Sequence, residues 1–263
     1  MANIDILRHF QESTDTSGGI KIFKLIEAER TDFFAKLPDP FRGLYISDDD
    51  LQWRIDNTPT TRASEIESMI PDDPILMSGE FSEILCYFLF PEKYIPDSHL
   101  RPPKWKWKES KNIASHFTDV VLFYQIDPGK PSADDCIISI ESKSRATKPS
   151  STESSLQKAI NDAIKDSVSR LAESLFFIKT RYKVDKNVEA LNHLERFIDS
   201  VKFPPFLKHF KAVATVDDAH ADIHIQNVSS IPVNIQDSFE VILIRVVDLK
   251  NAYEQTYSQM LQT

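Results

Sequence analysis

The sequence predicts a mixed α/β fold with a central mixed β-sheet flanked by helices, and three observations lead to that expectation. Apolar residues alternate or run in strand-length blocks at "IKIFKLI", "FTDVVLFYQI", "CIISIESK", "FKAVATVD" and "FEVILIRVV". Between them lie longer stretches whose apolar residues recur at helical spacing. The order helix, strand, strand, helix, strand, strand, helix then stacks helices on one sheet.

From residue 20, "IKIFKLI" alternates as a strand, and "RGLYISDDD" reads as a second short strand running into a polar turn. "TTRASEIESMI" suits a short helix with Thr60 or Thr61 as its N-cap. Residues 1–75 are thus expected to form an N-terminal α/β extension suited to docking a partner, and residues 76–263 the main domain. In "GEFSEILCYFLFPEKY", Phe81, Ile84, Leu85, Phe88 and Leu89 share one helical face, and Pro91 is expected to end the helix. "RPPKWKWKESKN" is the most basic short segment, with five basic residues, one acid and two tryptophans. The next two strands form a hairpin across "DPGKPSADD", where D-P-G supplies the bend.

Capping boxes at Ser150 with Glu153 and Ser154 with Gln157 open a long amphipathic helix with apolar Leu156, Ile160, Ile164, Val168, Leu171 and Leu175. The preceding "SRATKPSSTESS" has the composition of a mobile loop. "DLKNAYEQTYSQML" closes the chain as a helix.

Composition narrows the function. A 41% hydrophobic and 27% charged content is that of a soluble globular protein. With 40 acidic against 31 basic residues, the net charge of −9 has the wrong sign for gripping a polyanion unaided, so any nucleic-acid role must be local or shared with a partner. The five glycines form no phosphate-cradling loop, dinucleotide fingerprint or nucleophile elbow, which argues against a nucleotide-driven motor and an α/β-hydrolase. "MANIDILRHFQ" has no signal-peptide pattern and no stretch approaches a membrane span, so a cytoplasmic location away from membranes is expected. Cys86 and Cys136 sit in apolar runs and read as buried, reduced thiols.

The chemistry gathers on "CIISIESKSR". Side chains of a strand alternate faces with a rise of about 3.3 Å per residue, so Glu141 and Lys143 project from one face about 7 Å apart. Asp119 begins the preceding strand of the hairpin, which sets its carboxylate beside Glu141. Carboxylates held close repel and raise their proton affinity unless a cation neutralises them. Two carboxylates, a main-chain carbonyl and waters make a partial oxygen shell of the kind Mg²⁺ (or Mn²⁺) accepts, with positions open for a substrate phosphate. A lysine beside the ion can orient or help deprotonate the attacking water and offset charge building on phosphorus.

"TD" at Thr118 and Asp119 and "ESK" at Glu141 to Lys143, preceded by a helix with "GEFSEIL", resemble the PD-(D/E)xK nuclease superfamily. More narrowly, "SGEFSEIL", "KWKESKN", "SHFTDVV" and "SIESK", within residues 77–180, resemble the HamA family, nuclease subunits of the Hachiman anti-phage defence system encoded beside a helicase subunit. The resemblance implies a restriction-endonuclease-like core in which Asp119 and Glu141 bind the metal with the carbonyl of Ser142, and Lys143 is the catalytic lysine. Glu83 is its first choice for the helix acid and Glu80 the second, since both leave the apolar stripe. Phe117 and Ser82 stand where the family more often has glycine. Gln157 and Lys158, at the start of the long helix, would approach the scissile phosphate or merely cap and solvate the helix. The implied function is an Mg²⁺-dependent deoxyribonuclease effector released by a superfamily 2 helicase subunit. The alternative is a non-catalytic interaction subunit that keeps the fold for assembly.

Two further groups stay open. Lys104, Lys106 and Lys108 would contact DNA phosphates while Trp105 and Trp107 stack on bases, or the tryptophans are core and the lysines alternate outward. His220, Asp222 and His224 would share a face if "AHADIHI" were a strand, and could then bind a metal, although Asp217 and Asp218 make the region look like a polar loop.

Overall fold

A computed structural model describes residues 5–15, 19–94, 99–115, 117–127, 129–150, 152–231 and 238–263. The chain opens with the antiparallel strands β1 (Phe10–Thr14) and β2 (Lys21–Leu25). Five helices follow: α1 (Arg30–Ala35), α2 (Pro38–Tyr45), α3 (Asp48–Asn57), α4 (Arg62–Met69) and the long α5 (Pro74–Tyr94). Then come β3 (His99–Leu100), β4 (Val120–Tyr124), β5 (Cys136–Arg145), α6 (Ser155–Lys165), α7 (Leu171–Val184) and α8 (Val188–Ile198). β6 (Leu207–Asp217), α9 (Ala221–Gln226), β7 (Ser238–Val246) and α10 (Leu249–Met260) complete the chain.

The strands form one mixed seven-stranded sheet in the order β1-β2-β7-β6-β5-β4-β3. Parallel pairing joins β5 to β6, β6 to β7 and β7 to β2, whereas β4 runs antiparallel to β5. The central strands are covered on both faces, which is why Val213, Ala214 and Val216 of β6 and Val241 to Ile244 of β7 form near-continuous apolar runs. On one face, α5 and α10 bury Phe81, Ile84, Leu85, Phe88 and Tyr257 against Ile138, Ile140, Val213 and Ile242. On the other, the small residues Ala159 and Ala163 let α6 approach Ala212 and Ala214 closely, and α7 and α8 close a second cluster over Phe123, Ile137 and Phe210. The N-terminal segment joins this architecture directly, since β2 lies beside β7 and the buried residues of α1 and α2 belong to the α5 core. Cys86 and Cys136 are free and buried.

The structure corrects several expectations. "RGLYISDDD" is helical: Pro38 opens α2, whose Phe41, Leu44 and Tyr45 point inward at i, i+3 and i+4. Ser47 then caps α3 by accepting the Asp50 N–H, with three aspartates in its first turn where the helix dipole favours them. Pro91 does not end α5; its missing N–H falls in the last turn, which runs on to Tyr94. The bend between β4 and β5 includes Asp127 and Gly129, and Pro128 lies outside the described residues. Of the two capping boxes, Ser154 caps α6 by accepting the Gln157 N–H, whereas Ser150 precedes a loop that includes residue 151, outside the described residues.

The long helix is interrupted by a π-turn at Asp166–Arg170. Its wider turn shifts the phase of the stripe, leaving Val168 79% exposed. Finally, "AHADIHI" is not a strand. The Asp217 side chain accepts N–H groups from Ala219 and Leu249 and turns the chain into a 3-10 turn and α9, so Asp222 is turned away from His220 and His224 and the three do not share one face. Asp222 pairs with Arg245, and His224 Nδ1 accepts the Ser155 N–H.

Candidate active site

The β4–β5 register places Val120 opposite Ile140, and one step further sets Asp119 opposite Glu141. β4 stops there, and an Asp119 side chain takes over its ladder: Oδ2 accepts the Ser142 N–H at 2.8 Å. In an extended strand the N–H and C=O of one residue point to the same edge, so the Ser142 carbonyl is directed to the Asp119 side as well. Along β5 the side chains divide between faces. Ser139, Glu141 and Lys143 meet Asp166, Arg170 and Asp162 on the α6–α7 side, and Ser142 meets Ser82 of α5 at 2.6 Å.

Glu141 is buried and doubly contacted, with Lys143 Nζ donating to Oε1 at 2.5 Å and Arg170 Nη2 to Oε2 at 3.0 Å. Burial, with the neighbouring Asp119 carboxylate, pushes its pKa up to about 8 against the pull of Lys143. Lys143 also lies 3.1 Å from Asp162 Oδ2. Burial works to lower its pKa, but Asp119 and Glu141 outweigh that and hold the amine above its ordinary range.

The two helix acids go separate ways. Glu80 accepts from Tyr45 Oη at 2.6 Å and from Lys108, in a buried network that continues to Tyr257. Glu83 turns to Lys104, whose Nζ lies 3.1 Å from Glu83 Oε2 and 3.8 Å from Asp119 Oδ1. The Glu83–Lys104 contact is an ion pair rather than an aligned hydrogen bond, and Oε2 is a buried acceptor with no hydrogen bond. Burial, with Asp119 and Glu80 nearby, pushes Glu83 up to about 8 despite Lys104.

Lys104–Trp107 is a 3-10 turn with both tryptophans buried, Trp105 edge-on to Tyr87 at 5.4 Å. The lysines do not simply alternate outward. Lys104 and Lys108 are buried on Glu83 and Glu80, and Lys106, 42% exposed, pairs with Asp185. Gln157 accepts N–H groups from Ser229 and Ser230, and Lys158 pairs with Glu153. Arg170, Asp162 and Asp166 also belong to the site, although no motif marks them in the sequence. Their signal was the spacing of 162, 166 and 170, one helical face aligned at i and i+4, which the π-turn at 166–170 aims at Glu141.

The donor set suits a hard divalent cation, and Glu83 Oε2, buried without a hydrogen bond, already faces a cation in the Lys104 ammonium. The acids are nevertheless spread apart. Among the described residues, the group of three His, Cys, Asp or Glu ligand atoms within 4.8 Å of one another is His9, Glu29 and Asp32; around Glu83, Asp119 and Glu141 the intervening positions are taken by Lys104, Lys143 and Arg170. No helix among the described residues is long and apolar enough to cross a membrane.

A search of curated proteins returns no match. The family model for HamA matches residues 3–260 of the 263-residue chain, a span that takes in the N-terminal hairpin, every acid and lysine of the site and α10. The chain belongs to the HamA family and is a component of Hachiman anti-phage defence.

Proposed function

We propose that this chain is a metal-dependent deoxyribonuclease, the effector subunit of its defence complex, which a superfamily 2 helicase subunit restrains until it is released onto DNA. The observation that supports it is the register that sets Asp119 across from Glu141 with Lys143 two residues beyond. Asp119 and Glu141 would hold Mg²⁺ or Mn²⁺ with the Ser142 carbonyl, with Glu83 the helix acid paired to Lys104 on the other side of Asp119, and the bound ion supplies an acidified water and positive charge at the phosphate oxygens. Lys143, held protonated by its carboxylate neighbours, acts as a donor: it orients the water and offsets charge on the phosphoryl oxygens. Arg170 keeps the Glu141 carboxylate aligned from the other side. The net charge of −9 fits a subunit that leaves most of the DNA grip to its partner.

The test is Mg²⁺-dependent nicking of supercoiled plasmid by the chain, alone and with its helicase partner. Glu141→Ala or Lys143→Ala is expected to abolish nicking while circular dichroism and partner binding stay unchanged. Nicking by these variants at the parent's rate would remove the site assignment. A second reading, an interaction subunit without catalysis, is favoured by the closed ion pairs around Glu141 and Glu83. It requires that the parent chain, with partner and metal, leaves the plasmid intact.

A further inference from the structure

Resting on the nuclease reading above, we propose that the Lys104 ammonium is a built-in cation that occupies the place between Glu83 and Asp119, so that the site takes one divalent ion, on the Asp119–Glu141 side, rather than two. Lys104 Nζ faces three oxygens of the kind a hard cation uses: Glu83 Oε2 at 3.1 Å, Asp119 Oδ1 at 3.8 Å and the Thr118 carbonyl at 3.5 Å. The residue is 7% exposed. Its backbone is pinned on both sides: the Lys104 N–H donates to the Pro102 carbonyl, Pro103 precedes it, and the following Trp105 is wedged against Tyr87. The backbone thus holds the root of the side chain in place, and burial with the two carboxylates holds the ammonium.

Charge balance points the same way. With all groups ionised, the carboxylates Glu83, Asp119, Glu141, Asp162 and Asp166 and the cations Lys104, Lys143, Lys165 and Arg170 paired with them leave one negative charge. One divalent ion turns this to one positive charge, which a bridging phosphodiester cancels. A second would leave an excess of positive charge packed beside two fixed ammoniums, a costly arrangement at low local dielectric. Lys104 thus acts as a positioning residue that holds Glu83 and Asp119 together and sets the metal stoichiometry.

The experiment is Mn²⁺ binding to the full-length chain, followed by electron paramagnetic resonance of free Mn²⁺, for the parent, Lys104→Met, Lys104→Arg and the double variant Lys104→Met with Glu83→Gln. The expected result is one ion for the parent and Lys104→Arg, two for Lys104→Met, and one again for the double variant. Should the methionine variant fail to fold, Lys104→Gln, which keeps a hydrogen-bond donor, takes its place with the same expectation. Two ions in the parent, or equal stoichiometry and affinity in parent and Lys104→Met, overturns the proposal and leaves the nuclease reading standing. No ion in the parent but a Glu83-dependent ion in Lys104→Met supports the built-in cation and counts against a metal-dependent nuclease. No binding by any variant overturns both.

Discussion

The end of β5 opposite the candidate site is fixed by a buried ion pair, and its removal gives a sharp energetic test. Arg196 of α8 donates from Nε to Asp135 Oδ2 at 2.7 Å, from Nη2 to the Ser132 and Pro205 carbonyls, and from Nη1 to the Pro204 carbonyl. Asp135, which immediately precedes β5, also accepts the N–H groups of Ile126 and Ser132. Both side chains are buried, at 2% and 0% exposure, so neither charge has solvent to fall back on. Arg196→Met keeps much of the stem but strands a carboxylate, which costs about 3–5 kcal/mol and lowers the melting temperature of a chain this long by on the order of 10 °C. Adding Asp135→Asn removes the stranded charge. The double variant should therefore be more stable than Arg196→Met, with a residual cost of about 1–3 kcal/mol for the carbonyls that lost their donor. Urea unfolding followed by tryptophan fluorescence measures both values. A single-variant cost of less than about 1 kcal/mol, the range of an exposed pair, would show that the reasoning about burial is wrong.

Other outcomes are equally definite. Glu83→Gln should abolish plasmid nicking, whereas Glu80→Gln should leave nicking intact at low temperature and destabilise the fold, because it strands the buried Lys108 ammonium; equal loss of nicking in both variants contradicts the separation of the two acids. Mn²⁺ at about 100 times its dissociation constant should stabilise the parent by about 2.7 kcal/mol, and a comparable gain in Glu141→Gln would show the ion binds elsewhere. Burial lowers the pKa of His224 from 6.5 to about 4. The unfolded chain then takes up the proton first, so stability is expected to fall as pH drops from about 6.5 to about 4. Melting temperatures across that range should show a shallower slope for His224→Asn, and an unchanged slope removes His224 from the acid response.

β2 and β4 to β7 were legible because period-two and short apolar runs need no tertiary context, as at 136–145 and 238–246, whereas β1, mostly exposed, and the two-residue β3 carry no such pattern. What misled was context supplied by other parts of the chain. Pro91 reads as a stop, but a proline in a final turn forfeits one bond that the packed helix can spare. "AHADIHI" alternates like a strand, but Asp217 spends its carboxylate on two backbone N–H groups and bends the chain into a helix. The α8 helix carries its own signals, an Asn187 cap and the apolar positions Ala190, Leu194 and Phe197, between the long helix and the strand at 207–217. At the site, the spacing of 119, 141 and 143 was readable from the hairpin register, whereas the roles of Glu80 and Glu83 depended on Tyr45, Lys104 and Lys108, residues far away in sequence.

Phe117 and Ser82, at positions where the resemblance leads to an expectation of glycine, become interpretable only with the backbone. Phe117 adopts φ 70°, a left-handed conformation that glycine enters freely, and holds it with its ring 5.6 Å from Phe177. Ser82 uses the hydroxyl that glycine lacks to join Ser142 and Thr215.

The early end of β4 has a consequence for what the cleft can receive. Glu83 and Glu141 come from opposite faces of the sheet, and they approach one another only past Asp119, where β4 has ended. On the nuclease reading, a site at a sheet edge is reached from the side and needs no terminus threaded through it, so covalently closed circles should serve as well as linear fragments, and damage should accumulate as internal breaks rather than as shortening from the ends.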